Sequence, residues 1–166
     1  MELRFVERGN VQMDNVRIIF RNFSGAPSKY NREGDRNFAI VIPDSEISDA
    51  LIREGWNVRI KPPREEGDDP FMYLPVKIKF SEYGPKVFVQ SGSAKHRLDE
   101  GDVHRLDKID ISSVDVELRP YDWEIDGRVG RTAYLSALWV YQNVDRFEER
   151  FAGAESPEEE PERLPF

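Results

Sequence analysis

Short runs in which apolar and polar residues alternate, separated by glycine and proline, constrain the fold of this chain most strongly. In one such run, Trp56, Val58 and Ile60 fall on one side, and the residues between them are polar. A period of two places every second side chain on the same face of an extended strand. Together with compact apolar runs, this pattern predicts strands over residues 15–23, 37–42, 56–60, 73–80, 86–90, 109–118 and 131–141.

One segment has the features of a helix instead. Asp44 and Ser45 are suited to cap the first free amides, apolar residues follow at helical spacing, and Gly55 ends the segment. Farther along, Asp126-Gly127 predicts a tight hairpin turn. Seven strands, one helix and hairpin connections predict a mainly β fold. We expect a small antiparallel OB-like barrel with one inserted helix, and a β-sandwich is the alternative.

Composition excludes several classes of protein. The chain has 166 residues and no cysteine, which rules out disulfides, thiolate zinc sites and thiol catalysis. No apolar run is long enough to cross a membrane, and the N-terminus lacks the apolar stretch of a signal peptide. We therefore expect a cytoplasmic protein with no membrane partner. It has no glycine-rich phosphate loop or dinucleotide fingerprint, and we predict no cofactor, no metal site and no enzyme activity.

The C-terminal segment differs from the rest of the chain in composition. Residues 153–166 contain five glutamates and one arginine, and so carry half of the formal net charge of −8. Such segments are typical of disorder, so we divide the chain into a domain at 1–152 and an acidic tail at 153–166. The tail ends in Leu164, Pro165 and Phe166, whose terminal ring and carboxylate are suited to a partner's apolar pocket with a basic rim. A plain solubilising tail is the alternative.

Basic and aromatic residues accompany the central predicted strands. Two neighbouring strands carry two cations each on their polar faces, and pairing of these strands would gather all four in one patch. Cations neutralise phosphates and rings stack on bases, which suits single-stranded nucleic acid. An ordinary solvated strand face explains the same residues equally well. The candidate binding residues here are Arg59, Lys61, Tyr73, Lys77, Lys79, Tyr83, Lys86 and Phe88.

Further candidates lie in a predicted strand–loop–strand segment and beside the hairpin turn. Arg21, Arg32 and Arg36 flank a loop that is able to fold over a ligand. Trp123 is a candidate for stacking on a base, with a buried core tryptophan as the alternative. Arg131 is placed to reach a phosphate or, equally, to keep the turn soluble.

The order of several motifs resembles that of phage-type single-stranded-DNA-binding proteins. The matching runs are Arg21-Asn22-Phe23-Ser24-Gly25, Gly34-Asp35-Arg36-Asn37-Phe38, Gly55-Trp56-Asn57-Val58, Leu106-Asp107, Pro120-Tyr121-Asp122-Trp123 and Gly130-Arg131-Thr132-Ala133-Tyr134-Leu135. The acidic Pro-Phe tip resembles that of bacterial single-stranded-DNA-binding proteins. This resemblance implies an OB-fold that coats single strands during replication or recombination in a bacterial host's cytoplasm, with replication and recombination proteins as the tail's partners. Self-association stays open.

Two other functions remain compatible with the residues. Grouped carboxylates are able to hold magnesium in a metal-dependent nuclease, and the group here comprises Asp107, Asp110, Asp115 and Glu117. The chain could instead be an adaptor module whose only ligand is another protein. With 32 acidic residues in the chain, groups of neighbouring carboxylates also arise by chance, so a binding module is favoured over a nuclease.

Overall fold

The computed structural model describes residues 1–144. Within that part of the chain, the fold contains ten strands and one α-helix, which confirms the predicted mainly β class. The elements are β1 (Glu2–Phe5), β2 (Val11–Val16), β3 (Ile18–Asn22), β4 (Arg36–Ile42), α1 (Ser45–Arg53), β5 (Arg59–Lys61), β6 (Phe71–Ile78), β7 (Lys86–Ser91), β8 (Ala94–Leu98), β9 (Ile111–Ile125) and β10 (Arg128–Gln142). Two 3-10 helices cover Glu7–Gly9 and Val103–Asp107.

The strands form one sheet in the order β1-β2-β9-β10-β6-β4-β3. Its hydrogen-bonded path is not closed, but β2 and β3 are separated along the chain only by Arg17. The first of these strands pairs with β9 and the second with β4, and Val41 donates its backbone N–H to the Arg17 carbonyl at 2.9 Å. Chain continuity therefore links β3, at one end of the path, to β2, the second strand from the other end, and curls the sheet into an OB-like fold.

Two of the strand pairings are parallel. One edge of β10 pairs first with β6, at Ala133 and Tyr134, and then with β7, from Ala137 to Gln142. Its other edge pairs with β9 in an antiparallel ladder. Alternation along a strand indicates which side is buried but not the direction of its neighbour, so an all-antiparallel barrel was the simpler expectation.

The predicted helix is confirmed, and its caps are those that the sequence indicates. The Asp44 carboxylate accepts a hydrogen bond from the Ile47 backbone N–H at 2.9 Å, which satisfies one free amide of the first turn. Gly55 adopts φ +94°, a left-handed conformation that ends the helix at little steric cost. Leu51 is fully buried and anchors α1 to the core.

The core fills the inside of the sheet. On β6, Met72, Leu74, Val76 and Ile78 alternate inward, and they leave the intervening residues on the outside. Two buried rings, Phe23 and Phe38, stack with centroids 5.3 Å apart beneath the loop that joins β3 to β4. This packing fixes which side chains can reach a ligand. No helix in residues 1–144 is long and apolar enough to span a membrane.

Several boundaries differ from the predicted ones. The strand predicted at 56–60 is reduced to β5, and Ile60 is exposed there although Trp56 is buried, so the predicted alternation does not hold. The strand predicted at 15–23 is divided by a bend, and Asn15 and Phe20 have positive φ angles of 55° and 53°. For residues 91–108 the sequence predicts a loop and a helical turn; the 3-10 helix at Val103–Asp107 matches the turn, whereas β8 was not predicted. The hairpin turn at Asp126-Gly127 is confirmed, and both of its strands are 15 residues long. The acidic tail and most of a helical turn predicted at 143–152 lie outside the described residues.

Candidate nucleic-acid interface

The side chains that point away from the core on β4, β6, β10 and β9 form one continuous surface, here called the outer face. Tyr73 and Lys77 alternate outward on β6. The register places Lys77 beside Tyr134 of β10, and Tyr134 beside Arg119 of β9. Residues directly opposite one another in a sheet share a face, so cations and rings from three neighbouring strands meet here.

One end of the outer face carries exposed rings, which we call the aromatic cluster: Phe20, Phe71, Tyr73 and the Lys61 that accompanies them. Phe20 and Phe71 each lie 5.6 Å from Tyr73, in edge-on and tilted arrangements. The Lys61 Nζ lies 5.7 Å from the Tyr73 ring centroid and 6.0 Å from that of Phe20. Since Phe20 is 59% exposed and Phe71 40%, these rings keep surface free for a planar ligand.

The centre of the outer face is a polar cleft of about 610 Å³, here called the basic groove. The loop between β3 and β4 forms one wall, and the end of β6 with Tyr134 forms the other. Its cationic lining residues are Arg32, Arg36, Lys77 and Lys79. Tyr30, at the rim, is 90% exposed. Both lysines are without an ion pair among residues 1–144.

The β9–β10 hairpin extends the outer face on the other side of the groove. The Arg119 guanidinium lies 4.8 Å from the Tyr134 ring centroid, and Tyr121 meets the same ring edge-on at 5.9 Å. Trp123 donates its indole N–H to the Thr132 hydroxyl at 3.2 Å. A Cβ added at Gly130 would lie 2.3 Å from the Trp123 ring, so only glycine lets the indole lie against the backbone of β10.

The four cations predicted to form one patch separate into two groups. The strands do pair, but Lys61 lies opposite Phe71, and Arg59 opposite Tyr73, both near the start of β6. Lys77 comes four residues after Tyr73, roughly 13 Å along the strand. The first pair therefore accompanies the aromatic cluster and the second lines the basic groove.

Arg21 and Arg36 use their guanidinium groups within the protein. Arg21 donates to the backbone carbonyls of Leu106 and Ile109, both at 2.8 Å. Arg36 donates to the Phe23 carbonyl at 3.0 Å and to Glu100 at 3.1 Å. These bonds hold the two ends of the β3–β4 loop, so both arginines position a wall of the basic groove.

Arg131 links the hairpin to the helix. It donates to the Asp122 carboxylate at 2.6 Å and to the Glu54 carbonyl at 2.8 Å, and its guanidinium lies 5.4 Å from the Trp56 ring centroid. The hydrogen bond from Arg131 lowers the pKa of Asp122, and the same contact raises the pKa of Arg131. Both groups therefore stay charged at neutral pH, and Arg131 faces the helix rather than the groove.

The remaining predicted residues lie farther along the sheet. Tyr83 is 89% exposed in the turn between β6 and β7. Lys86 and Phe88 point outward from β7, where the Phe88 ring stacks on Trp139. The partner-binding candidates Leu164, Pro165 and Phe166 lie outside the described residues.

Sequence reasoning missed part of the outer face. Phe20, Phe71, Tyr134, Arg119 and Tyr121 were not among its candidates. Residues 71, 119 and 121 lie just beyond the predicted strands at 73–80 and 109–118 and continue their alternation, so longer strands would have included them. Tyr134 lies inside the strand predicted at 131–141, and its outward position follows from the alternation of β10. Phe20 could not be found this way, because its positive φ interrupts the alternation of β3.

Three of the four carboxylates considered for a nuclease serve separate structural roles. Asp107 accepts hydrogen bonds from the backbone N–H groups of Phe23, at 2.6 Å, and Ser24, at 3.1 Å. Asp115 accepts from the Tyr141 hydroxyl at 3.0 Å, and Glu117 accepts from the Gln12 amide at 2.7 Å. Within residues 1–144, no group of three metal-ligating side chains comes together.

Comparison with known proteins identifies similar single-stranded-DNA-binding proteins. A family model described as a putative phage ssDNA-binding domain matches residues 2–163. No curated protein matches the chain. Among solved structures, the fold is similar to the single-stranded DNA-binding protein from bacteriophage Enc34, with 9% identity, coverage of 96% of this chain and 93% of that chain, and a TM-score of 0.55. It is also similar to the structure of that protein in complex with ssDNA, with 14% identity, coverage of 87% of this chain and 93% of that chain, and a TM-score of 0.51.

Proposed function

The chain belongs to the family of putative phage ssDNA-binding domains, and from this premise we propose that it binds single-stranded DNA along its outer face. The observation that carries the proposal is the continuity of the basic groove with exposed rings on both sides. In OB-type folds, the central strands and the loops beside them form the surface that commonly binds oligonucleotides. The outer face occupies the corresponding strands and loops of this barrel.

The proposed mechanism divides the work between charge and stacking. Lys77 and Lys79 neutralise phosphates in the basic groove, and exposed Arg32 adds charge from the loop wall. Bases stack on the aromatic cluster at one end and on Trp123 at the other, and each stacked base contributes about 1–3 kcal/mol. Every base has an aromatic face, so this arrangement binds with little sequence preference.

Salt dependence provides the primary test of the groove. We expect oligothymidine to bind the full chain, and a Lys77→Gln/Lys79→Gln variant to bind more weakly, with the slope of log affinity against log salt reduced by about 1.4. Each lost phosphate contact on a single strand removes about 0.7 from that slope. Fluorescence titration at several salt concentrations measures it.

A variant with the same change in charge controls for net charge. Arg53 and Lys108 are exposed on α1 and after a 3-10 helix, and neither lies on the outer face. Arg53→Gln/Lys108→Gln should keep the wild-type slope to within about 0.3 if only groove contacts release counterions. Equal losses in both variants would contradict a localised groove, and absence of binding by the wild type would refute the proposed function.

We further propose that the protein coats single strands during phage replication or recombination, in the cytoplasm of the bacterial host. In this proposal residues 1–152 hold DNA, and the acidic tail at 153–166 recruits replication or recombination proteins. The acidic, Pro-Phe-ended sequence of the tail supports this division.

Removal of the tip tests the division of labour. Deletion of Leu164, Pro165 and Phe166 should abolish capture of host replication proteins by the immobilised chain and leave oligothymidine affinity within about twofold. The reason is that an apolar tip after an acidic run is suited to a partner's apolar pocket with a basic rim, whereas the proposed DNA contacts lie in residues 1–152. Loss of DNA binding after the deletion, or unchanged capture, would contradict the proposal.

A further inference from the structure

A second row of cations lies on the β7–β8 hairpin. Lys86 points outward from β7, because Val87 and Val89 are buried. The antiparallel register places Arg97 opposite Phe88, and Lys95 opposite Gln90. Lys86, Arg97 and Lys95 are exposed and have no ion pair in the described part of the chain. We call these three residues the cationic row.

Aromatic rings beneath the row hold two of its cations in place. Phe88 and Trp139 stack with centroids 5.0 Å apart and an interplanar angle of 24°. The Arg97 guanidinium lies 5.8 Å from the Phe88 centroid, and the Lys95 Nζ lies 5.9 Å from that of Trp139. Such cation–π contacts are attractive and leave N–H groups directed to solvent. The row thus presents charge above two half-buried rings.

The cationic row continues the basic groove along the same edge of β10. Tyr134 pairs with Lys77 of the groove, Ala137 pairs with Lys86, and Trp139 pairs with Phe88. A register shift between Leu135 and Ala137 keeps Tyr134 and Trp139 on the same side of β10 although they are five positions apart. Positions two apart on a strand are roughly 7 Å apart, so the row places successive cations at short, regular intervals.

Acidic residues lie beside the row at two places. Glu82, Asp99 and Glu100 line a cleft with Arg97, and a second group lies on β9. Asp115 and Glu117 of β9 line a cleft of about 320 Å³ together with Lys86 and Phe88. These carboxylates repel phosphates, so a polyanion that leaves the basic groove is attracted to β7 and β8 and excluded from β9. The cationic row itself is therefore the part of this surface that attracts a polyanion.

We propose that the cationic row is a second binding segment for the same DNA strand, which leaves the basic groove at Tyr134 and continues along β10 onto the β7–β8 hairpin. This inference rests on the proposed function. The row grips the sugar–phosphate backbone of the added nucleotides through Lys86, Arg97 and Lys95. A strand too short to extend beyond the groove does not reach it.

Strand length distinguishes this segment from the groove. The test compares wild type with Lys95→Gln/Arg97→Gln, using oligothymidines of about 6 and about 20 nucleotides. The first is near the short end of the usual footprint of one OB-fold, and the second exceeds that footprint. We expect the variant to bind the short strand within about twofold of wild type. For the long strand, affinity should fall and the salt slope should decrease by about 1.4, since two phosphate contacts are lost.

The control is again Arg53→Gln/Lys108→Gln, with unchanged thermal unfolding required of both variants. If wild type binds both strands and the Lys95/Arg97 variant behaves like the control on the long one, the second segment does not exist. An equal loss on short and long strands would also overturn it, because the row would then belong to the groove. Failure of wild type to bind either strand would instead refute the proposed function.

Discussion

Replacing Phe20 with alanine is expected to weaken oligothymidine binding by about 5- to 150-fold, which corresponds to the loss of one stacked base at about 1–3 kcal/mol. Phe20 is the most exposed ring of the aromatic cluster, at 59%, and it meets Tyr73 only edge-on. Its removal therefore takes away stacking surface but little core packing. Fluorescence titration measures the affinity, and thermal unfolding should change little.

Phe5 provides a matched control for this effect. It is also an exposed phenylalanine, at 45%, but it lies on β1, which carries neither the aromatic cluster nor the basic groove. Phe5→Ala should therefore leave DNA affinity within about twofold of wild type, as expected when no base stacks on the ring. If both substitutions weakened binding equally, or neither did, the aromatic cluster would not be a stacking surface for DNA.

The substitution Arg21→Ala is expected to have the opposite effect: a loss of stability with little change in DNA affinity. It should lower the free energy of unfolding by about 2–4 kcal/mol, because two backbone carbonyls lose charge-assisted hydrogen bonds. The folded variant should bind DNA nearly as well as wild type, since the Arg21 guanidinium is directed at Leu106 and Ile109. Denaturant unfolding measures the stability, and titration at low temperature measures the affinity.

Arg17 serves as the comparison, since it is an exposed arginine four residues earlier and forms no side-chain hydrogen bond or ion pair among residues 1–144. Its replacement by alanine should change the unfolding free energy by no more than about 0.5 kcal/mol. A large loss of DNA affinity with Arg21→Ala, without loss of stability, would contradict this role and indicate that Arg21 contacts DNA directly.

The sequence predicted the class of fold because its main determinant is local. The alternation within the strand predicted at 73–80, the cap at Asp44 and the turn at Asp126-Gly127 each act within a few residues. Strand order and direction depend on contacts far apart along the chain, such as the parallel pairing of β10 with β6 and β7. No local pattern specifies those partners, which is why the parallel ladders were not expected.

The difference between local patterns and distant contacts also explains which parts of the candidate site were predicted. Alternation along the strand indicated that Lys77 and Lys79 point away from the core, and both line the basic groove. The register of β5 against β6 then decided that Arg59 and Lys61 lie at the other end of the strand. Internal partners decided the position of Arg21 and Arg131, and sequence alone does not distinguish a guanidinium that binds a carbonyl from one that awaits a phosphate.

The bend at Arg17 has a consequence for how this barrel comes apart. The segment formed by β2 and β3 is the one stretch of chain that serves both ends of the sheet path, through β9 and through β4. Detaching it opens two seams together, exposes the buried side chains beneath both, and releases the β3–β4 loop that walls the groove. Partial opening is therefore costly, and the chain should lose its structure and its binding surface in one concerted transition.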